Sequence, residues 1–214
     1  MRVLIVDDHA MFRRGLREIL VDEFDDLEFS EATNAEEALD MLRVGEWDVV
    51  ILDVSMPGRS GLDALKEIKK DRPTLPVLML SFHPEEHFAT RALKAGASGY
   101  MTKTSAPEEL VSAINKILNG GKYVSPELAE QLAEDLERDA VGVLPHKRLS
   151  DREYEVLLDI ARGETVSEIG DKLSLSVKTI STYRARILEK MNLRSNADLV
   201  RYAIRHGLVE DEVD

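Results

Sequence analysis

From Met1 to Gly121 the apolar residues of the chain follow two alternating rhythms. Short unbroken runs stand at Val3–Val6, Val49–Leu52 and Val77–Leu80, with weaker ones at Leu27–Ala32 and Gly99–Met101. Short runs rich in β-branched residues predict strands, and their unbroken apolarity predicts burial on both faces. Between them lie longer stretches with helical spacing. Ala35, Ala38, Leu39 and Leu42 fall on one face, Asn34 stands at a cap position, and Pro107 sits in the first turn of a later helix. Five strands alternating with helices predict an α/β domain, a doubly wound parallel sheet covered on both sides.

Beyond Gly120-Gly121 the strand rhythm stops. Pro126 to Arg138 predicts one more helix, capped by Ser125, and Val141-Gly142-Val143-Leu144-Pro145 breaks it in a mobile loop. From Ser150 onward every pattern is helical: Asp151–Arg162, Val166–Leu173, Val177–Met191 and Asn196–His206, with gaps at Gly163 and Ser174-Leu175. The chain therefore divides into an α/β domain over 1–121, a linker with a helix over 122–147, an all-α four-helix domain over 148–209 and an acidic tail over 210–214. No internal repeat or low-complexity tract interrupts this order.

Composition narrows the chemistry. With 214 residues, 43% hydrophobic and 32% charged, the chain reads as globular and long enough for two domains. The absence of cysteine excludes disulfides, thiolate metal sites and a cysteine nucleophile. No apolar stretch approaches the roughly 18 residues of a membrane span, and Val3–Val6 ends in two aspartates, unlike a signal peptide. The expected location is the cytoplasm, with no membrane partner. A net charge of −13 argues against nucleic acid until its distribution is considered. From Ser174 to His206, seven basic residues (Lys178, Arg184, Arg186, Lys190, Arg194, Arg201, Arg205) face two acidic ones (Glu189, Asp198), so an acidic body carries one basic helical segment.

In doubly wound sheets, ligands bind beyond the carboxyl ends of the strands, where strand order reverses. The first strand here ends in Asp7-Asp8, the third in Asp53, the fourth in Ser81, and the fifth leads to Lys103. A lone aspartate after a strand is ordinarily a turn or cap residue, and a lone lysine a solvated one. Five such groups on one edge are harder to explain that way. Three carboxylates suit Mg²⁺, a hard cation that favours oxygen ligands. With the ion bound, Asp53 is placed to accept a phosphoryl group as an acyl phosphate, and Lys103 to offset charge on the phosphoryl oxygens.

At Asp7-Asp8, the segment Leu52-Asp53-Val54-Ser55-Met56-Pro57-Gly58, Ser81 and Gly99-Tyr100-Met101-Thr102-Lys103, the sequence resembles the receiver domain of bacterial two-component response regulators. The resemblance implies a flavodoxin-like strand order 2-1-3-4-5 and phosphorylation at Asp53 by a sensor histidine kinase or a small phosphodonor. It further implies that Asp8 and Asp53 hold Mg²⁺ directly, that Asp7 helps through water, and that the Ser55 backbone carbonyl completes the ligands. Ser81 and Tyr100 resemble the paired switch residues, the ring turning inward when the hydroxyl is drawn to the phosphoryl group. Two departures stand out. Thr104 follows the lysine where many receivers have a proline in a cis bond, and Phe82 replaces a smaller residue and narrows access to the site.

In the second domain, Thr165 to Met191 reads as two helices joined by a tight turn. On the second of them Val177, Ile180, Ile187, Leu188 and Met191 are expected inward, leaving Lys178, Ser181, Thr182, Ala185 and Arg186 outward. Such a helix suits the major groove of double-stranded DNA, with Ser181 and Thr182 near base edges, Lys178, Arg184 and Arg186 on phosphates, and Thr179 also among the DNA-binding residues. Short basic helical hairpins are common without any such role. The stretches Leu149-Ser150-Asp151-Arg152-Glu153, Ser167-Glu168-Ile169, Ser176-Val177-Lys178-Thr179-Ile180 and Glu189-Lys190-Met191 resemble the four-helix helix-turn-helix domain of LuxR-type regulators. Receiver plus this domain is similar to the NarL/FixJ family, which implies a transcription regulator binding DNA as a homodimer, with Asn196–His206 supplying dimer contacts. Gly170 and Tyr183 depart from the family's usual alanine and frequent histidine.

Two other classes compete. A phosphohydrolase built on an aspartyl phosphate would carry an Asp-x-Asp motif, but Val54-Ser55 follows Asp53. A protein-binding adaptor would bind no duplex at all.

Overall fold

The computed structural model describes residues 1–82, 85–105, 107–126, 128–130 and 144–209. The chain divides into two compact units, Met1–Leu136 and Glu137–Asp214.

In the first unit, strands β1 (Arg2–Val6), β2 (Glu28–Ala32), β3 (Val49–Asp53), β4 (Val77–Ser81) and β5 (Gly99–Thr102) alternate with helices α1 (Ala10–Glu23), α2 (Ala35–Val44), α3 (Gly61–Asp71), α4 (Glu85–Lys94) and α5 (Pro107–Leu118). All four strand pairings are parallel and the order is β2-β1-β3-β4-β5. β3 and β4 are buried throughout, as the unbroken apolar runs predict. Val3, Ile5, Val49, Ile51, Leu78 and Leu80 pack with Leu16 and Leu20 of α1 and Leu110, Ile114 and Ile117 of α5. The alternate residues Leu4, Val6, Val50 and Leu52 are equally buried, since successive side chains of a strand point to opposite faces.

β2 is more polar because it forms one edge of the sheet. The β5 edge is covered by the chain that follows α5: Tyr123 bridges Gly99, donating its N–H to the Ser98 carbonyl (2.9 Å) and accepting from Tyr100 N–H (3.3 Å). Asn34 caps α2 by accepting from Glu37 N–H at 2.9 Å. Ser125 accepts from Leu128 N–H at 3.1 Å, as expected for the cap of the helix over Pro126–Arg138. Most of that helix, the Val141–Val143 break and the acidic tail lie outside the described residues.

The second unit opens with a 3₁₀ turn at Pro145–Arg148, followed by α6 (Asp151–Ala161), α7 (Val166–Leu173), α8 (Val177–Met191) and α9 (Asn196–Arg205). Capping boxes start α6 (Ser150 with Glu153) and α7 (Thr165 with Glu168). α6 packs against α7, α8 and α9 and is buried along its whole length, acidic residues included. Its charges are paired: Arg152 with Glu155 (2.5 Å), Lys190 with Glu153 (2.6 Å) and Lys172 with Asp159 (2.8 Å). Burial alone would raise the Glu153 carboxyl. The Lys190 ammonium and the Ser150 backbone and hydroxyl instead hold it below the usual carboxylate range.

Candidate functional site

Parallel register brings the strand ends to one rim. Val6 pairs with Leu52, Asp53 with Leu80 and Ser81 with Thr102, so Asp7, Asp53, Ser81 and Lys103 stand side by side or one step further along. The Lys103 ammonium joins them, with Nζ 2.6 Å from Asp7 Oδ2 and 2.7 Å from Asp53 Oδ2 and all three side chains almost wholly buried. Asp8 is the more exposed carboxylate, at 27%. Ser81 and Tyr100 are fully buried, the tyrosine ring inside the fold. Ser55 donates its backbone N–H to Asp53 Oδ1 at 3.3 Å.

Local structure fixes these positions. Arg13 donates from Nη1 to the Asp7 carbonyl (2.7 Å) while its Nε holds Glu31 (2.8 Å), tying the turn after β1 to β2. Behind Asp53, Gly61 donates its N–H to the Val54 carbonyl at 2.9 Å. A Cβ at Gly61 would lie 1.8 Å from the Asp53 carbonyl oxygen, so only glycine fits at the start of α3. The Lys103–Thr104 peptide is trans.

The electrostatics follow from burial. Desolvation pushes the Asp53 carboxyl up to about 7; Lys103 pulls it down, Asp7 pushes it up, and the Ser55 N–H pulls it down. Oxygens of Asp7, Asp8 and Asp53 and a ring nitrogen of His9 all lie within 4.8 Å of one another, a donor set with the hard oxygens a divalent cation needs. His9 is a site residue that the strand-end reasoning passed over. As N-cap of α1 it has an extended backbone, and its Nδ1 turns back to within 2.9 Å of Asp8 Oδ1 and 3.2 Å of Asp7 Oδ1. Adjacency to Asp7-Asp8 is the only signal the sequence carries for it.

In the second unit, α7 ends at Ser174 in the left-handed region (φ 52°), and Ser176 caps α8 by accepting from Thr179 N–H at 3.1 Å. Leu175 N–H donates to the Gly170 carbonyl (2.8 Å), and a Cβ at Gly170 would come within 2.8 Å of the Leu175 carbonyl oxygen. The turn is therefore tight, and an alanine at position 170 would crowd it.

α8 buries Ile180, Ile187 and Met191 and exposes Lys178, Ser181, Thr182, Ala185 and Arg186 on one face. Val177, expected inward, is 48% exposed, because it opens the helix beside the exposed Ser174 and Ser176 and lies beyond the buried row that begins at Ile180. Arg184 is half-buried and donates from Nε to Asn196 Oδ1 of α9 at 2.6 Å, while the Thr179 hydroxyl lies 2.8 Å from that of Ser176 within the cap. Thr182 donates its hydroxyl to the Lys178 carbonyl (2.9 Å), leaving its oxygen lone pairs outward.

Comparison with known proteins agrees with both halves. Residues 3–115 match the response regulator receiver domain and residues 147–203 the luxR family of bacterial regulatory proteins. The chain is 38% identical over 210 residues to the response regulator UvrY of Escherichia coli K12, covering 98% of this chain and 96% of that one. It is 40% identical over 209 residues to the response regulator GacA of Pseudomonas aeruginosa, covering 98% of each. Among solved structures, RcsB of Salmonella enterica serovar Typhimurium, bound to promoter rprA in the presence of phosphomimetic BeF₃⁻, aligns with a TM-score of 0.62 at 29% identity, over 94% of this chain and 97% of that one. Receiver fold, acidic rim and helix-turn-helix unit occur together in one kind of regulator, and the chain belongs to the NarL/FixJ family of two-component response regulators.

Proposed function

We propose that this regulator is switched by phosphorylation of Asp53 and then occupies double-stranded DNA as a homodimer. The observation that carries the reading is the buried Lys103 ammonium held between Asp7 and Asp53 at the carboxyl rim of the sheet. A carboxylate Oδ of Asp53 attacks the phosphorus of a phosphohistidine on a sensor kinase, or of a small phosphodonor. The bond from phosphorus to the donor breaks, and the acyl phosphate remains on Asp53. Asp8, Asp53 and the Ser55 carbonyl would hold Mg²⁺, with Asp7 and His9 beside them, and the ion would supply positive charge against the phosphoryl oxygens. Lys103 moves its ammonium from the Asp53 carboxylate to a phosphoryl oxygen, and the Ser81 hydroxyl donates to another. The inward place of the Tyr100 ring, already buried, goes with the switched state, and the move of Ser81 toward the phosphoryl group would hold it there.

Lys178 and Arg186 then hold DNA phosphates while Ser181 and Thr182 face base edges in the major groove. Arg184 and Thr179 serve the interface by bracing α8, through Asn196 and the Ser176 cap respectively. The RcsB complexes with promoter DNA support this placement by analogy, at 29% identity. No helix among the described residues is long and apolar enough to cross a membrane. A regulator that reads chromosomal DNA works in the cytoplasm.

Acetyl phosphate with Mg²⁺ should load one phosphoryl group per chain, detected by intact-mass spectrometry, and Asp53→Asn should load none. Loading that persists in Asp53→Asn assigns the chemistry to another residue.

A further inference from the structure

The Lys103 ammonium has no exposed side-chain surface and touches two carboxylates, those of Asp7 and Asp53. Two aromatic rings lie close to the same nitrogen. Nζ is 4.8 Å from the centroid of Phe12, on α1, and 4.7 Å from that of Phe82, which follows β4. The two rings approach one another at 6.1 Å, and His9 meets Phe82 edge-on at 5.9 Å. Phe82 is nevertheless 59% exposed, so its presence is not explained by core packing.

We propose that Phe12 and Phe82 form an aromatic bracket that positions the Lys103 ammonium for phosphoryl transfer; the proposal rests on Asp53 being the acceptor. A buried ammonium requires compensation for lost water, and ring faces supply it through their negative quadrupole. This attraction is broad in direction, unlike that of a hydrogen-bond acceptor. As the phosphoryl group forms its bond, Asp53 Oδ loses charge and the ammonium must pivot to a phosphoryl oxygen. The rings keep hold of it through the pivot without competing for its protons. They also keep water off the cation, and in that less polar setting its charge acts more strongly on the transition state. Phe12 and Phe82 are thus positioning residues acting through Lys103. The bulk that the sequence suggested as a hindrance at position 82 has a use of its own.

The test compares Phe82→Leu, Phe12→Leu, the double variant and Phe82→Tyr in the full-length chain. Leucine keeps apolar bulk and removes the ring; tyrosine keeps the ring. The first readout needs no phosphorylation: the ζ protons of Lys103 in metal-free, lysine-¹⁵N-labelled protein. Ring currents should move that signal upfield in the parent chain and in Phe82→Tyr, and the displacement should vanish in the double leucine variant. The second readout is the initial rate of phosphoryl loading from acetyl phosphate with Mg²⁺. It should fall about tenfold in the double variant and stay at the parent rate in Phe82→Tyr. An unshifted ζ signal in the parent chain, or leucine variants that load as fast as parent, overturns the bracket. If the parent chain loads nothing, the acceptor assignment itself is wrong, and the ζ signal alone decides whether the rings hold the cation.

Discussion

The carboxyl group proposed as nucleophile must be ionised, yet Asp53 sits where ionisation is costly. Burial pushes it to about 7 from an ordinary 3.8, against the pull of Lys103. An upward shift means that the folded, metal-free protein disfavours the charged form. The resulting cost to stability is absent below the ordinary carboxylate value, grows as pH rises, and is complete above about 7. A divalent ion binds the deprotonated form, so it competes with a proton at Asp53. Calorimetric titration with Mg²⁺ should therefore give an affinity about tenfold weaker at pH 6 than at pH 8. A pH-independent affinity would mean that the binding carboxylates are solvated, which is incompatible with a buried Asp53 as ligand.

At the scale of elements, two glycines lock the helices to the sites they serve. Gly61→Ala would press a methyl group onto the Asp53 carbonyl from 1.8 Å, and the start of α3 would have to move. The expected cost is about 1–3 kcal/mol in urea denaturation, with slower phosphoryl loading because the displaced backbone carries the proposed acceptor. Gly170→Ala sets two effects in opposition. Helix propensity gains up to about 1 kcal/mol, while the new Cβ meets the Leu175 carbonyl at 2.8 Å. That neighbour is backbone in the short turn between α7 and α8, so the clash should win. The melting temperature should fall rather than rise, and DNA affinity with it as α8 is pushed away from α7.

These elements show what is written locally in the chain and what is not. α7 and α8 begin and end where the sequence predicts them, because Thr165 and Ser176 are caps whose partners lie three residues away. The rim was legible because strands that run parallel must deliver their ends to the same edge, whatever their order. The close seat of Gly61 and the Arg184–Asn196 bond were not legible, since each depends on a distance between segments that spacing does not encode, and the turn of the His9 ring depends on a side-chain rotamer that sequence adjacency leaves open. Val177 misled for a related reason: periodicity assigns a side chain to a face but does not say whether a neighbour covers that face at the helix end.

For the whole molecule the decisive quantity is charge distribution. The chain carries −13 overall, so attraction to a duplex has to come from local basic surface such as that of α8. Affinity of the phosphorylated protein should fall steeply with salt. Lys178→Ala or Arg186→Ala should flatten the log–log slope by about 0.9 for each phosphate no longer neutralised. A symmetric dimer carries each residue twice, so one substitution should flatten it by about 1.8. Salt titrations of the two variants thus count the copies on the DNA as well as test the roles of the two cations.

The ammonium of Lys103 has a consequence for the resting protein. Three carboxylates gathered in one pocket would ordinarily push each other apart until an ion arrived, and the rim would be assembled by its cofactor. Here a covalently attached cation already sits among them and answers part of their charge. The pocket is therefore furnished before any signal, and an arriving ion finds its hosts in place and one tenant ready to shift.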